Sequence, residues 1–297
     1  MTALKGAFTA LVTPMKENGD VDFDGFRRLV RFQLENGIDG LVPVGTTGET
    51  PTLEEWEEER LLELVMKEAA GRVPVIAGSG SNSTKHAVLY TKRAKDFGAD
   101  AALVVTPYYN KPNDDGLLRH FEAVAGVGIP VIVYNIASRT GRNIPAPLME
   151  RLAGIPNIAG VKEASGDINQ MADLINMVKR PRQGAFTVLS GDDALTLPLL
   201  ALGGDGVISV ISNLVPSRVA ALVKAGLDGD FETARRIHYE LLPFTKTAFI
   251  ETNPVPIKRA LDFAGLPAGP VRLPLGSISA VNEKLVNAAV KALGFPS

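Results

Sequence analysis

The sequence predicts an α/β protein, specifically a (β/α)8 TIM barrel with a C-terminal helical extension, and three features support this. Eight short apolar runs recur along the chain. Segments of helical periodicity separate them, so each strand–loop–helix unit takes about thirty residues, the size of a βαβ repeat. The 297 residues also accommodate one barrel of roughly 250 residues with chain left over. A doubly wound open sheet is the alternative that the same alternation allows. The units differ too much in sequence to form an internal repeat.

The elements follow in order. Met1 to Phe8 leads straight into the first run, Phe8–Thr13, without a signal-peptide pattern. Helical spacing covers Phe26–Leu34, a second apolar run covers Gly40–Val44, and a longer helix covers Leu53–Ala70. Thr52-Leu-Glu-Glu55 reads as a capping box for that helix. The acidic run Glu54 to Glu59 suits the positive end of its dipole and a solvated face. Val73–Ala77 with Lys85–Phe97, then Ala101–Thr106 with Leu117–Val127, form the next two units. Pro130–Asn135 is the fifth strand. Turn formers Pro156-Asn157 and Ser165-Gly166-Asp167 bracket the sixth, Ile158–Glu163, which runs into a helix over Ile168–Val178. Phe186–Ser190 and Gly206–Val210 complete the eight. Helical patterns continue beyond Val210, with loops such as Asn253-Pro-Val-Pro256 and no Gly/Ser linker. Residues 1–224 are therefore assigned to the barrel and 225–297 to an extension packed on it.

Composition narrows the function classes. The chain is 45% hydrophobic and 22% charged, ordinary for a globular protein. A net charge of −2 gives no electrostatic case for nucleic acid or an acidic membrane surface. The absence of cysteine excludes disulfides, thiolate nucleophiles and Cys-ligated zinc. His86, His120 and His238 form no ligand-spaced pair, which argues against a histidine-bound metal. The longest apolar region, Leu195 to Val210, is interrupted by Pro198, Gly203, Gly204, Asp205 and Gly206, so no segment spans a bilayer. A cytoplasmic protein is the default expectation.

Lys162 stands out because it lies in a strand that reads as buried. Alternation turns its side chain away from Val161 and Glu163, so it cannot simply pair with Glu163. An ammonium held away from water is disfavoured relative to the free amine, which makes such a lysine a usable nucleophile. The plainer alternative is a strand-end lysine snorkelling to solvent or paired with a distant carboxylate.

In a barrel, chemistry gathers at the C-terminal ends of the strands. After the second strand comes Gly45-Thr-Thr-Gly-Glu49, whose hydroxyls and backbone N–H groups suit a carboxylate or phosphate, unless it is a plain glycine turn. Thr106-Pro-Tyr-Tyr-Asn-Lys-Pro112 follows the fourth strand, and Tyr134-Asn-Ile-Ala-Ser-Arg-Thr-Gly141 follows the fifth. Tyr134 offers a hydroxyl that passes protons, and Arg139 a planar fork for carboxylates. Gly78-Ser-Gly-Ser-Asn-Ser83 imitates a dinucleotide fingerprint but has Ser83 in place of the third glycine, so a nicotinamide cofactor is not expected. Gly203-Gly-Asp-Gly206 supports the best rival, a barrel phosphate site.

Six motifs, GTTGE at 45–49, TPYYNKP at 106–112, YNIASRTG at 134–141, GVKEAS at 160–165, LSGDD at 189–193 and GGDGVISV at 203–210, occur in register along the chain. With them the sequence resembles, end to end, the pyruvate-dependent class I aldolases, the family of N-acetylneuraminate lyase and the dihydrodipicolinate synthases. Arg139 within SRTG, Glu163-Ala164 and Glu251-Thr-Asn-Pro-Val-Pro-Ile-Lys258 favour the second branch.

The resemblance implies that Lys162 forms a Schiff base with pyruvate, that Thr46 and Thr47 hold the pyruvate carboxylate, and that Ile208 lines the same pocket. It further implies a proton relay of Thr47, Tyr134 and Tyr109, with Tyr109 reaching in from a neighbouring subunit of a homotetramer built from tight dimers. Arg139 would bind the carboxylate of L-aspartate 4-semialdehyde, and no metal or organic cofactor would be needed.

Two departures from the family pattern bear on function. Ala137 replaces a common proline in the loop carrying Arg139. Regulated members bind lysine at the positions of Thr50, Glu55, Glu58, Asn82, His86 and Tyr108. Here Glu55 and Glu58 replace histidines and His86 replaces a glutamate, so weak or absent lysine inhibition is expected. The rival activities are cleavage of N-acetylneuraminate or a 2-keto-3-deoxy sugar acid, and a non-catalytic barrel that binds a keto acid or phosphate. Arg139 separates the first from the leading reading, and covalent trapping at Lys162 separates the second.

Overall fold

In the computed structural model, residues 4–295 are described, and eight parallel strands form one sheet. The strands are β1 (Gly6–Ala10), β2 (Gly40–Val42), β3 (Ile76–Gly78), β4 (Ala101–Val105), β5 (Val131–Asn135), β6 (Ile158–Glu163), β7 (Thr187–Ser190) and β8 (Gly206–Ser209). Their order, β2-β1-β8-β7-β6-β5-β4-β3, is that of a barrel opened between its second and third staves. A parallel bridge between Leu41 and Val75 spans that seam. The (β/α)8 barrel with C-terminal helices is thus the architecture present, and the open doubly wound sheet is not.

Strand alternation sorts the core into two layers. Phe8, Val42, Ile76, Leu103, Ile132, Tyr134, Leu189 and Ile208 pack together inside the barrel. Ala7, Leu41, Val75, Val104, Val133, Val161, Val188 and Val207 face the surrounding helices. Both faces of each strand are buried, which is why the strands read as continuous apolar runs.

The helices start where side-chain oxygens meet free N–H groups. Asp22 accepts from Gly25 N, Asn113 from Gly116 N, and Asp167 from Asn169 N. The capping box of the second barrel helix lies two residues beyond Thr52. The helix is Glu55–Ala69, its cap is Glu54, and Glu54 N donates to Glu57 Oε2 at 2.9 Å. Thr52 instead closes a tight turn with Pro51 and donates its hydroxyl to Glu49 O at 3.0 Å. The helix after β6, Ile168–Asp173, continues through a π-helical turn, Leu174–Lys179.

The eighth barrel helix is Pro216–Leu227, which packs on β1 and β8. Residue 224, the expected end of the barrel, lies near its C-terminus. Three further helices follow, Phe231–Thr247, Val255–Phe263 and Ala280–Ala292, and they pack on one another and on the barrel. Among the described residues no helix is long and apolar enough to cross a membrane.

Candidate active site

β6 carries Lys162 level with Tyr134 on β5 and Leu189 on β7, inside the barrel near the C-terminal end of its strands. Its side chain is almost wholly buried, and Nζ lies 4.2 Å from the centroid of the Tyr134 ring. Glu163, on the opposite face, accepts from Asn135 Nδ2 at 3.0 Å, Gln170 Nε2 at 3.0 Å and Ser165 N at 2.6 Å. Lysine and glutamate therefore diverge, as alternation requires, and the plainer reading of a snorkelling lysine does not hold.

Burial lowers the pKa of Lys162 to about 7; the Asp193 carboxylate opposes the shift, and the Arg139 charge adds to it. Asp193 is itself buried. Burial raises its carboxyl to about 6 despite hydrogen bonds from the Ser209 side chain, Val210 N at 2.9 Å and Ile211 N at 3.3 Å. The surroundings leave much of Lys162 as free amine near neutrality, with one acidic group close enough to feel its charge.

Room for the lysine depends on Gly191, at the end of β7. A Cβ there would stand 3.0 Å from Lys162 Cε, 3.1 Å from its Cγ and 2.7 Å from the Ala164 methyl. Tyr134 is also buried. Burial pushes its phenol up to about 12, against the opposing pull of Arg139 and of the Thr46 side chain. It therefore stays protonated, as a proton donor must.

Both threonines of GTTGE lie in a one-turn 3-10 helix directly after β2, but they play different parts. Thr46 lines the cavity with Tyr134 and pulls its phenol pKa down, whereas Thr47 is buried and its Oγ1 accepts from Asn253 Nδ2 at 2.9 Å. The resemblance gives the relay hydroxyl to Thr47. Ile208 points inward from β8 and is 1% exposed. Arg139, in the short helix Ala137–Thr140, donates from Nη2 to Asn253 O at 3.0 Å.

A cavity of about 490 Å³ opens above the barrel, lined in part by Thr46, Tyr134 and Arg139. Lys162, Thr47 and Ile208 are not among its lining residues; Tyr134 is, and its ring centre lies 4.2 Å from the lysine Nζ. The cavity continues past Thr50, Glu55, Glu58, Asn82, His86 and Tyr108. Tyr109 does not join the site within one chain: it is 90% exposed, on a loop where its φ is 70°.

One other glycine motif is structural. Gly203–Gly206 precedes β8, so it lies at the end of the barrel opposite the site. There a Cβ on Gly206 would stand 1.9 Å from Gly6 O, and buried Asp205 pairs with Lys179 at 2.7 Å. That position removes the basis for a phosphate site at the rim. Among the described residues no group of three or more His, Asp or Glu is arranged to hold a metal ion.

The site also contains groups whose part in it the sequence did not assign. Asn253 and Lys258 come from the C-terminal extension. Lys258 Nζ donates to Glu49 Oε1 at 2.7 Å, Thr13 O at 3.0 Å and Pro270 O at 2.6 Å, while Arg272 N donates to Glu49 Oε2 at 2.9 Å. Glu49 ends the threonine turn in a left-handed conformation, with φ 59°. A buried ion pair therefore ties the threonine turn to the extension. The pattern GTTGE signalled the turn; the partner of its glutamate lies more than two hundred residues away.

A family profile described as the dihydrodipicolinate synthetase family matches residues 3–293. The 4-hydroxy-tetrahydrodipicolinate synthase of Protochlamydia amoebophila is 52% identical over 93% of this chain and 92% of its own. A crystal structure of dihydrodipicolinate synthase from Aquifex aeolicus is 45% identical and superposes with a TM-score of 0.95, covering 99% of both chains. A structure described as a monomeric dihydrodipicolinate synthase variant, 41% identical over 99% of this chain and 98% of its own, gives a TM-score of 0.96.

Proposed function

The chain belongs to the dihydrodipicolinate synthetase family, and we propose that it condenses pyruvate with L-aspartate 4-semialdehyde to 4-hydroxy-tetrahydrodipicolinate through a Schiff base on Lys162. The observation that carries this reading is a buried lysine whose pKa falls to about 7, set against a buried tyrosine that keeps its proton.

The free amine of Lys162 attacks the pyruvate carbonyl, and loss of water gives the imine. Tyr134 supplies a proton to the departing oxygen, and the Thr46 hydroxyl, on the same cavity wall, extends the path. The protonated imine is an electron sink, so a methyl proton leaves and an enamine forms. Its carbon attacks the aldehyde of the second substrate. The amine of the adduct then displaces Lys162 by transimination, which closes the ring and frees the enzyme. Thr47 binds the pyruvate carboxylate, Ile208 packs against pyruvate, and Arg139 binds the carboxylate of the semialdehyde.

Tyr109 completes the relay from a second copy of the chain in a homotetramer of tight dimers. Its 90% exposure and its absence from the cavity lining within one chain support that role. An equimolar mixture of Tyr109→Phe and Tyr134→Phe chains, dissociated and reassembled, should regain activity if the site is shared between subunits.

The main test combines two measurements. Borohydride with pyruvate should inactivate the enzyme and label Lys162; an unlabelled protein rejects the Schiff base. Arg139→Ala should leave that labelling intact while raising KM for the semialdehyde about tenfold or more, the effect expected for a lost charge-assisted hydrogen bond. Faster release of pyruvate from N-acetylneuraminate or a 2-keto-3-deoxy sugar acid than condensation would favour the sugar-acid aldolase instead.

A further inference from the structure

Two hydrogen bonds meet on Asn253, a residue of the C-terminal extension. Its side-chain Nδ2 donates to Thr47 Oγ1 at 2.9 Å, and its main-chain oxygen accepts from Arg139 Nη2 at 3.0 Å. One residue thus touches the threonine proposed for the pyruvate carboxylate and the arginine proposed for the second substrate. It does so with different atoms, the amide for one and the backbone for the other.

An amide nitrogen offers protons and accepts none, whereas a hydroxyl has a single proton to give. Because Thr47 Oγ1 accepts from Asn253, its own proton has to point elsewhere. We propose that Asn253 is a positioning residue that fixes the Thr47 hydroxyl as a donor toward the carboxylate of pyruvate. The inference rests on the Schiff-base reading above and deepens it. The reverse orientation of the amide would turn Thr47 into a donor to Asn253 and withdraw it from the substrate, and the test below separates the two.

The segment is well held for this task. Asn253 is buried, and Lys258, one turn of helix further on, is anchored on Glu49 at the other end of the threonine turn. Turn and extension are therefore joined at both ends of the Thr47–Glu49 stretch. A substitution at 253 cannot be relieved by a shift of the whole segment without disturbing that buried pair.

Asn253→Asp keeps the shape of the side chain and replaces the donor by an acceptor. Thr47 must then donate to the new carboxylate, which also repels the carboxylate of pyruvate. In borohydride trapping, the pyruvate concentration for half-maximal inactivation should rise about tenfold or more. Asn253→Ala, which removes the donor without adding charge, should give a smaller rise, and it carries the test if the aspartate variant does not fold. In both, KM for the semialdehyde should stay within about twofold, since the backbone oxygen that holds Arg139 remains.

Unchanged pyruvate dependence in Asn253→Asp overturns the proposal, and so does a parallel rise for both substrates, which is the mark of general loosening. Failure of the unsubstituted enzyme to become labelled at Lys162 rejects the underlying Schiff-base reading, a result distinct from either.

Discussion

The Nζ atom of Lys162 lies 4.2 Å from the centre of the Tyr134 ring, and both side chains are buried at the mouth of the same barrel. Burial acts on the two in opposite senses. It removes a proton from the lysine near neutrality and keeps one on the tyrosine to about pH 12, because in each it disfavours the charged form. A nucleophile and a proton donor thus coexist at the same pH without exchanging roles.

The rate of imine formation should therefore follow the free amine. Below about pH 7 the trapping rate should fall tenfold per pH unit, and above it should level off. Trapping with borohydride across about pH 5.5 to 9 reads this directly. A rise that continues past about pH 9 would mean an ordinary lysine and would contradict the assigned environment.

The same shift predicts a cost in stability. Lys162 has a folded pKa below its ordinary value of 10.5. Between about 7 and 10.5 the unfolded chain therefore binds the extra proton, and stability rises with pH across that window. Lys162→Met, which removes the group, should stabilise the fold at neutral pH by on the order of 3 kcal/mol while abolishing activity. Urea unfolding at several pH values should show the gap closing as pH approaches about 10. A constant gap would attribute the gain to packing instead.

Gly191 is predicted to matter through space alone. Gly191→Ala brings a methyl group to 2.7 Å from the Ala164 methyl, closer than real Cβ atoms approach, and to 3.0 and 3.1 Å from Lys162, which must give by a few tenths of an ångström. The variant should keep its circular dichroism spectrum and lose about tenfold or more in kcat, since small displacements of a nucleophile are costly. Full activity would show that the loop after β7 yields instead.

These residues mark the limits of what was legible in the sequence. The eight strands were legible because both faces of each are apolar, and Lys162 because it interrupts one such run. Strand ends were less so: Val73–Ala77 became Ile76–Gly78, in part because Pro74 offers its oxygen to Leu41 N rather than a ladder N–H. Thr52 looked like a cap, but the turn through Pro51 moves the cap to Glu54. Thr46 and Thr47 are adjacent and chemically alike, so their division of labour appears only in their contacts. Asn253, Lys258 and Gly191 lie within motifs that mark the family, but nothing in those motifs says what they touch; their roles come from closure of the barrel and docking of the extension.

Lysine should be a poor inhibitor. Glu55, Glu58 and Glu59 surround one guanidinium, Arg93, at 3.0, 3.2 and 3.1 Å. Burial raises Glu58 to about 7; the Arg93 charge opposes the shift, and the neighbouring Glu55 and Glu59 charges add to it. The cavity wall thus presents a half-protonated carboxyl and carboxylates already paired, rather than a free anionic seat for an ammonium group. Steady-state rates with saturating substrates should be unchanged by sub-millimolar L-lysine, and clear inhibition there would refute this.

The Glu49–Lys258 pair should be the most sensitive point outside the barrel. Both groups are buried, and Glu49 holds its position with a left-handed backbone. Removing one member leaves the other charge uncompensated away from water, which costs about 3–5 kcal/mol. Lys258→Met should lower stability by that amount and, by releasing the threonine turn, raise the pyruvate concentration needed for trapping. Glu49→Gln combined with Lys258→Met should be more stable than Lys258→Met alone, because the orphaned carboxylate is gone. Unfolding measured by denaturant for the two single variants and the double gives the coupling energy. Simple additivity of the two losses would mean that Thr13 and Pro270, rather than Glu49, hold the lysine in place.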